Sequence, residues 1–317
     1  MWTPPRRDRR VALRAERQAR LGHSSTFTRL QTRRRLGHSF KIGLLTDLRL
    51  VNGGQRALQP MLGPEAELRG KRRAMKFREH GPKDGAPTVV VLHGGPGAPG
   101  SAGGLARLLA DPARVLEPRQ EARTVATHIS DVLSFVSMHC DAPPVVIGHS
   151  WGAMLALAFA AEHPSRVASL CLVCSGTFDL EARAEFKRAL AVQMPKNAEA
   201  ASRSAIEDRI YTIDPLPADP LDGGEFDERA NETSWADMLR LQADGTYPAA
   251  FARIRVPVLM VHGADDPHPG RMIRASLASH LPQLEYRELA RCSHYPWRER
   301  EARDEFASLV RTWIAGH

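Results

Sequence analysis

Val145–Gly152 reads VVIGHSWG, the most informative segment of this sequence. A short apolar run ends in a G-x-S-x-G sequence, and an alanine- and leucine-rich helical stretch follows over residues 153–161. This order predicts a strand, a tight turn and a helix, with Ser150 at the apex of the turn. Glycines at 148 and 152 fit a strained turn that neighbouring backbone approaches closely. We therefore predict that Ser150 is a nucleophile and that Gly148 and Gly152 support its turn.

A second motif follows the apolar strand predicted at Thr88–Leu92, where residues 93–97 read HGGPG. Acyl transfer places negative charge on the former carbonyl oxygen, and two backbone N–H groups must then point at that oxygen. Small residues let the backbone come that close. We predict that the N–H groups of Gly95 and Trp151 form this oxyanion hole. The other residues of the loop support it: His93, Gly94, Pro96 and Gly97.

Two later segments supply an acid and then a histidine, so the three residue types follow along the chain in the order serine, acid, histidine. A buried strand at 256–262 precedes Asp265 and Asp266, and a further predicted strand precedes His294. His294 would take the proton from Ser150 and return it to the leaving group. One of the two aspartates would orient its imidazole.

Together the four motifs resemble the α/β-hydrolase superfamily over about residues 75–317. Within it, the HGGPG loop and Trp151 are most similar to the proline iminopeptidase branch of the serine aminopeptidases. The resemblance implies a mostly parallel sheet flanked by helices, with a helical lid inserted after the sixth strand. The family pattern G-x-x-D maps onto Gly263 to Asp266 and favours Asp266 over Asp265 as the acid.

The sequence departs from the iminopeptidase pattern in three places. His149 stands where these enzymes usually carry glycine before the serine, and Ser293 stands where glycine more often precedes the histidine. The D-x-R-G-x-G-x-S segment common after the fourth strand is missing after residues 113–118. That segment normally lines one wall of the site, so its loss leaves the reaction type intact and the substrate specificity open.

Strands and helices alternate along the chain, which is the βαβ pattern of a parallel sheet. We predict a catalytic core at 75–177 and 251–317, interrupted by a helical lid at 178–250. Residues 1–74 form a basic extension that is hard to interpret. The first strands of the fold should lie before residue 80, and only Met75–Glu79 resembles one. The lid carries fifteen acidic and eight basic residues. In iminopeptidases lid carboxylates hold the free α-amino group of the substrate, and Glu232 is the candidate here.

The net charge of +8 belongs to the amino-terminal segment, since residues 1–45 hold twelve basic and two acidic residues. A solvated extension is the favoured interpretation; an organellar leader or a nucleic-acid or membrane-surface arm are the alternatives. Few aromatic residues that could stack on bases lie there. No apolar run approaches the ~18–20 residues of a membrane helix. We expect a cytoplasmic protein without nucleic-acid or membrane partners; its oligomeric state is left open.

Several residues have a structural interpretation that outweighs a chemical one. We expect His93, His149 and Trp297 to pack around the site without transferring protons. Cys171 and Cys174 lie three apart on a predicted strand, on opposite faces, so they cannot share a metal there and are expected to be buried thiols. No histidine and carboxylate cluster has metal-ligand spacing such as H-E-x-x-H, so no metal is predicted.

The sequence thus predicts a serine hydrolase in which water resolves an acyl-enzyme, a reaction that needs no cofactor. A serine nucleophile argues against the epoxide hydrolases and dehalogenases of the superfamily, which use aspartate. The leading substrate is a small amide or short peptide with a free amino-terminal residue. A small ester, through carboxylesterase or acyltransferase chemistry, is the alternative. A third hypothesis is a hydrolase-like protein that binds a small ligand without turnover.

Overall fold

Seven strands form one sheet in the computed structural model, which describes residues 75–83, 87–194 and 203–317. Within that part of the chain they lie in the order β1-β3-β2-β4-β5-β6-β7. Strand β1 pairs antiparallel with β3, and every other pair is parallel. The strands are β1 Phe77–His80, β2 Thr88–Leu92, β3 Arg114–Pro118, β4 Val145–His149, β5 Ser169–Val173, β6 Val258–Gly263 and β7 Leu284–Leu289.

Helices cover both faces of the sheet, and the alternation of side chains along each strand creates two apolar cores. Val90 and Val146 face the core that includes α2, α3 and α7, while Val89 and Ile147 face the core that includes α1 and α8. The helices are α1 Gly103–Leu109, α2 Val125–His139, α3 Trp151–Glu162, α4 Leu180–Gln193, α5 Arg203–Tyr211, α6 Glu228–Ala243, α7 Gly270–Ala278 and α8 Arg303–Ala315.

Helix α3 lies at the centre of the domain. Its residues from Trp151 to Ala161 are all buried, as are all residues of β4 and β5. A helix that is apolar on every side belongs in a core, and strands buried on both faces read as continuous apolar runs. The segment around Ser150 therefore lies in the buried centre of the sheet and its helices.

The predicted mostly parallel sheet with flanking helices is confirmed. Helices α4, α5 and α6 lie between β5 and β6, so the insertion follows the fifth described strand, whereas the resemblance placed it after the sixth. The prediction counted strands before residue 80, and most of that segment lies outside the described residues. The basic extension at 1–74 lies outside them as well. No described helix combines the length and apolarity that crossing a bilayer requires.

The turn between β4 and α3 packs directly on the end of β2. A Cβ added to Gly152 would lie 2.3 Å from the carbonyl oxygen of Leu92 and 2.5 Å from that of His93. A Cβ on Gly148 would lie 2.3 Å from the carbonyl oxygen of Gly152. Only glycine allows these backbones to approach, and the approach brings the G-x-S-x-G turn beside the HGGPG loop.

Gly152→Ala is therefore expected to lower the free energy of unfolding by about 2–3 kcal/mol, because backbone must move to admit a methyl group. Gly316→Ala is the matched control, since its added Cβ would make only ordinary contacts, 3.6 Å from the nearest atom. Urea unfolding followed by circular dichroism measures both. Equal stability of the two variants would contradict the close approach at Gly152.

Candidate active site

Ser150 occupies a strained turn at the carboxyl end of β4. Its backbone angles are φ 55° and ψ −119°, a region that non-glycine residues rarely adopt. Hydrogen bonds hold this conformation: the N–H of Ser150 donates to the carbonyl of Val173 over 2.9 Å, and the N–H of Ala153 donates to the carbonyl of Ser150 over 3.1 Å. The strained turn leaves the hydroxyl half-buried at the edge of the sheet where the parallel strands end.

The structure brings Asp266, and not Asp265, to His294. Nδ1 of His294 lies 2.8 Å from Oδ2 of Asp266, and both side chains are buried. Asp265 is exposed, and its backbone N–H donates to the carbonyl of Cys292. Because Asp266 is the acceptor, Nδ1 of His294 carries the proton, and Nε2 is left as the basic nitrogen.

The loop that carries His294 is held from two sides. Its backbone N–H donates to the carbonyl of Tyr211 at the end of α5 over 3.1 Å, and its own carbonyl accepts a 2.9 Å bond from Nε2 of His149. In the described chain no hydrogen bond joins Ser150 Oγ to His294. Catalytic hydrogen bonds are often long in a free enzyme and shorten when substrate binds.

Three histidines surround the Asp266 carboxylate. Burial opposes its charge, but His294, His268 and His262 hold the pKa of Asp266 well below its ordinary value. Burial lowers the pKa of His268 to about 4, so this ring is neutral at neutral pH and donates its Nδ1–H to Asp266 over 2.9 Å. The carboxylate is therefore ionised and hydrogen-bonded, as an acid that orients a general base must be.

His93 fixes the glycine-rich loop. Its Nε2 accepts the backbone N–H of Gln120, and its own backbone N–H donates to Oε1 of Gln120, each over 3.0 Å. Nδ1 therefore carries the proton and donates to the carbonyl of Gly94 over 3.0 Å. Burial lowers the pKa of His93 to about 4, so its ring is neutral at neutral pH.

The predicted oxyanion donors lie on the two motifs that the fold brings together. Trp151 is the first residue of α3, so its N–H has no acceptor within the helix. Gly95 has φ 44°, and a Cβ on its neighbour Gly94 would lie 3.0 Å from Cβ of Ser150. The loop thus contacts the nucleophile turn directly. Pro96 and Gly97 complete the loop, and the lid contacts both residues. Nδ2 of Asn231 donates to the carbonyl of Pro96 over 2.7 Å, and a backbone N–H of the lid donates to the carbonyl of Gly97.

Comparison with known proteins identifies a family for this chain. A family model described as "Alpha/beta hydrolase family" matches residues 89–309. The chain belongs to the α/β-hydrolase family. The superfamily prediction is thereby confirmed, while the proline iminopeptidase branch stays a prediction. A search of curated proteins gave no match.

Solved structures share the fold of this α/β hydrolase at low sequence identity. VinJ aligns with TM-score 0.57 at 18% identity, over 76% of this chain and 94% of its own. A putative non-heme bromoperoxidase BpoC from Mycobacterium tuberculosis aligns with TM-score 0.53 at 20% identity, over 76% and 96%. A thioesterase domain from the curacin biosynthetic pathway aligns with TM-score 0.51 at 17% identity, over 76% and 94%. Such identities establish the fold alone.

Glu232, the predicted amino-group ligand, is exposed and lines a groove of about 1210 Å³ between the lid and the segment that follows β3. Pro99, shortly after the glycine-rich loop, lines the groove as well, but Ser150 and His294 do not. Four other acidic side chains share the groove with four basic ones: Glu121, Glu225, Asp227 and Glu228 with Lys76, Arg119, Arg123 and Arg229.

Two groups of side chains in the described chain could offer ligand atoms to a metal, and Asp266 belongs to both. One adds Cys174 and His262, and the other adds His268 and His294. Both oxygens of Asp266 already accept ring N–H groups. Nδ1 of His268 and Nδ1 of His294 are each taken up by a different oxygen of that carboxylate. The geometry suits a hydrogen-bonded carboxylate better than a metal centre.

Three residues of the site were not predicted from the sequence: His268 holds the acid, Gln120 holds the glycine-rich loop, and Asn231 joins the lid to that loop. His268 lies two residues after Asp266, a spacing at which a side chain and its own N–H can both reach one carboxylate. The sequence DPHP at residues 266–269 carries that signal. The partners of Gln120 and Asn231 lie 27 and 135 residues away, so no local pattern marks them.

Proposed function

We propose that this α/β hydrolase is a serine hydrolase that cleaves a carbonyl substrate through an acyl-enzyme on Ser150. The 2.8 Å hydrogen bond from His294 to the buried, ionised Asp266 carries the proposal, because it leaves Nε2 of His294 as a base on the side away from the acid. The strained turn that presents Ser150 is consistent with the same role.

The reaction follows from these positions. Nε2 of His294 removes the hydroxyl proton of Ser150 as Oγ attacks the carbonyl carbon, and the N–H groups of Gly95 and Trp151 stabilise the oxyanion. The imidazolium, paired with Asp266, then protonates the leaving group. Water activated by the same nitrogen hydrolyses the acyl-enzyme and restores Ser150. His294 returns each proton that it removes, so these steps need no cofactor.

For the substrate we propose a small amide or short peptide with a free amino-terminal residue, as in proline iminopeptidases. The likeness of the HGGPG loop and Trp151 to those enzymes supports this choice, and the lid supplies exposed carboxylates that could pair with an α-amino group. Glu232 is the first candidate for that contact. A small ester, cleaved or transferred, is the second candidate, since it requires the same nucleophile and oxyanion donors but no amino-group ligand.

A fluorophosphonate probe should add one adduct to the wild-type protein and none to Ser150→Ala, because only a serine activated by a base attacks phosphorus quickly. Intact-mass spectrometry measures the adduct. Ser308→Ala, an exposed serine on α8, is the control and should label like the wild type. A folded wild-type protein without an adduct would contradict the serine hydrolase and would favour a ligand-binding protein without turnover.

Asp266→Asn should slow labelling and turnover by on the order of 10³–10⁴-fold, because an amide cannot hold the required tautomer or stabilise the imidazolium. Asp265→Asn is the matched control on the neighbouring, exposed carboxylate, and we expect less than about a twofold effect. The second-order rate constant of probe labelling distinguishes the two. A larger effect at Asp265 than at Asp266 would overturn the assignment of the acid.

Proline naphthylamide and p-nitrophenyl acetate, assayed side by side, separate the two substrate classes. We expect turnover of the amide that depends on Ser150, with KM raised about fivefold by Glu232→Gln, the size of an exposed ion pair of roughly 1 kcal/mol. KM for the ester should be unchanged, since it carries no amino group. Glu181→Gln, on the exposed start of α4, is the control. Turnover of the ester alone would favour the second candidate.

A further inference from the structure

His268 and the candidate base, His294, each bind one oxygen of the Asp266 carboxylate. Oδ1 of Asp266 accepts two hydrogen bonds from His268, one from the backbone N–H over 2.8 Å and one from the ring Nδ1–H over 2.9 Å. Oδ2 accepts the Nδ1–H of His294 over 2.8 Å. The orientation of the carboxylate towards His294 is thus fixed through the oxygen that His294 does not use.

The same ring also stacks on the base. The ring centroids of His268 and His294 are 4.6 Å apart at 21°, and both side chains are buried. On the other side, Phe186 of lid helix α4 stacks on His268 with centroids 3.9 Å apart at 15°. Three nearly parallel rings therefore run from the lid to His294. Such contacts limit ring rotation and contribute energy beyond the area that they bury.

Other ionisable groups also face His294, and the test must separate them from His268. Asp266 and His262 approach from the end of β6, His149 from β4, Tyr211 from α5, and Tyr295 from the histidine loop itself. Burial lowers the pKa of His149 well below its ordinary value, and burial also lowers the pKa of His262. Both rings are therefore neutral where His294 acts as a base.

We propose that His268 is a positioning residue for the candidate base, and that Phe186 makes its position depend on lid helix α4. The inference rests on the serine hydrolase function proposed above. Two hydrogen bonds to Oδ1 withdraw charge from the carboxylate and weaken its hold on a protonated His294. The stack keeps the imidazole of His294 in the plane that directs Nε2 at the nucleophile. Lid contact at Phe186 completes the stack.

Two variants separate the hydrogen bond from the stack. His268→Asn retains an N–H donor near the position of Nδ1 and removes the aromatic ring, whereas His268→Phe retains a ring and removes the donor. The readout is the pH profile of the fluorophosphonate labelling rate at Ser150, which needs no known substrate. In His268→Phe the Asp266 carboxylate holds more charge, the base stays protonated to higher pH, and the midpoint rises by about half a unit to one unit.

In His268→Asn the midpoint should stay at the wild-type value while the plateau rate falls about three- to tenfold, because the ring of His294 loses its stacked neighbour. An unshifted midpoint in folded His268→Phe would overturn the role of the hydrogen bond. An unchanged plateau rate in His268→Asn would overturn the role of the stack. If His268→Phe does not fold, the plateau rate of His268→Asn still tests the proposal. Failure of the wild-type protein to label would instead overturn the proposed function.

The lid contact is tested at Phe186. Phe186→Leu removes the ring with little loss of volume, so we expect the plateau rate to fall about threefold without a change of midpoint. Val192→Ala, on the same helix and 85% exposed, is the control and should match the wild type. Thermal unfolding confirms that both variants are folded. Equal plateau rates for the two variants would overturn the link between α4 and the base.

Discussion

A carboxylate taken out of water must find hydrogen-bond donors for both of its oxygens, and at Asp266 this requirement joins three parts of the chain. His294 arrives from the loop after β7, and His268 lies two residues further along the Asp266 turn. Nε2 of His262, from β6, donates to the carbonyl of His268 over 3.0 Å and so holds the turn that carries Asp266 and His268. Because a charge buried without these donors would be costly, the loops that supply them are fixed relative to one another, and the position of the base follows.

A second constraint is the distance between backbones at the carboxyl edge of the sheet. Gly152 approaches the carbonyls at the end of β2, and a Cβ on Gly263, at the end of β6, would lie 2.3 Å from the carbonyls of Cys292 and Ser293. These glycines let the nucleophile turn touch the glycine-rich loop and let the acid turn touch the histidine loop. The site is therefore assembled from backbone contacts as much as from side chains.

The lid contributes to the same assembly rather than only covering it. The carbonyl of Tyr211 accepts the backbone N–H of His294, and Asn231 binds the glycine-rich loop at Pro96. Glu299, buried below the histidine loop, accepts the N–H groups of Ile213 and Asp214 over 3.0 Å each. A change in the lid thus reaches both the base and the oxyanion loop, which gives lid sequence a direct physical route to activity.

Much of this architecture could be derived from the sequence, because its signals are local. Short continuous apolar runs and glycine turns mark the strands and the ends where Ser150, Asp266 and His294 lie, and the spacing of the motifs gives their order. The antiparallel pairing of β1 and the count of strands before the lid were not derivable, since the sequence before residue 80 has no clear alternation.

The class of sheet, the nucleophile turn and the candidates for acid and base follow from the amino-acid sequence, since each depends on residues that are neighbours in the chain. Tertiary structure alone decided that Asp266 is buried against His294 while Asp265 faces solvent, and that Phe186 stacks on His268. It also placed Glu232 in a groove that Ser150 does not line. The physical reason is that burial and stacking depend on segments that lie far apart in sequence, and local patterns carry no record of which segments will meet.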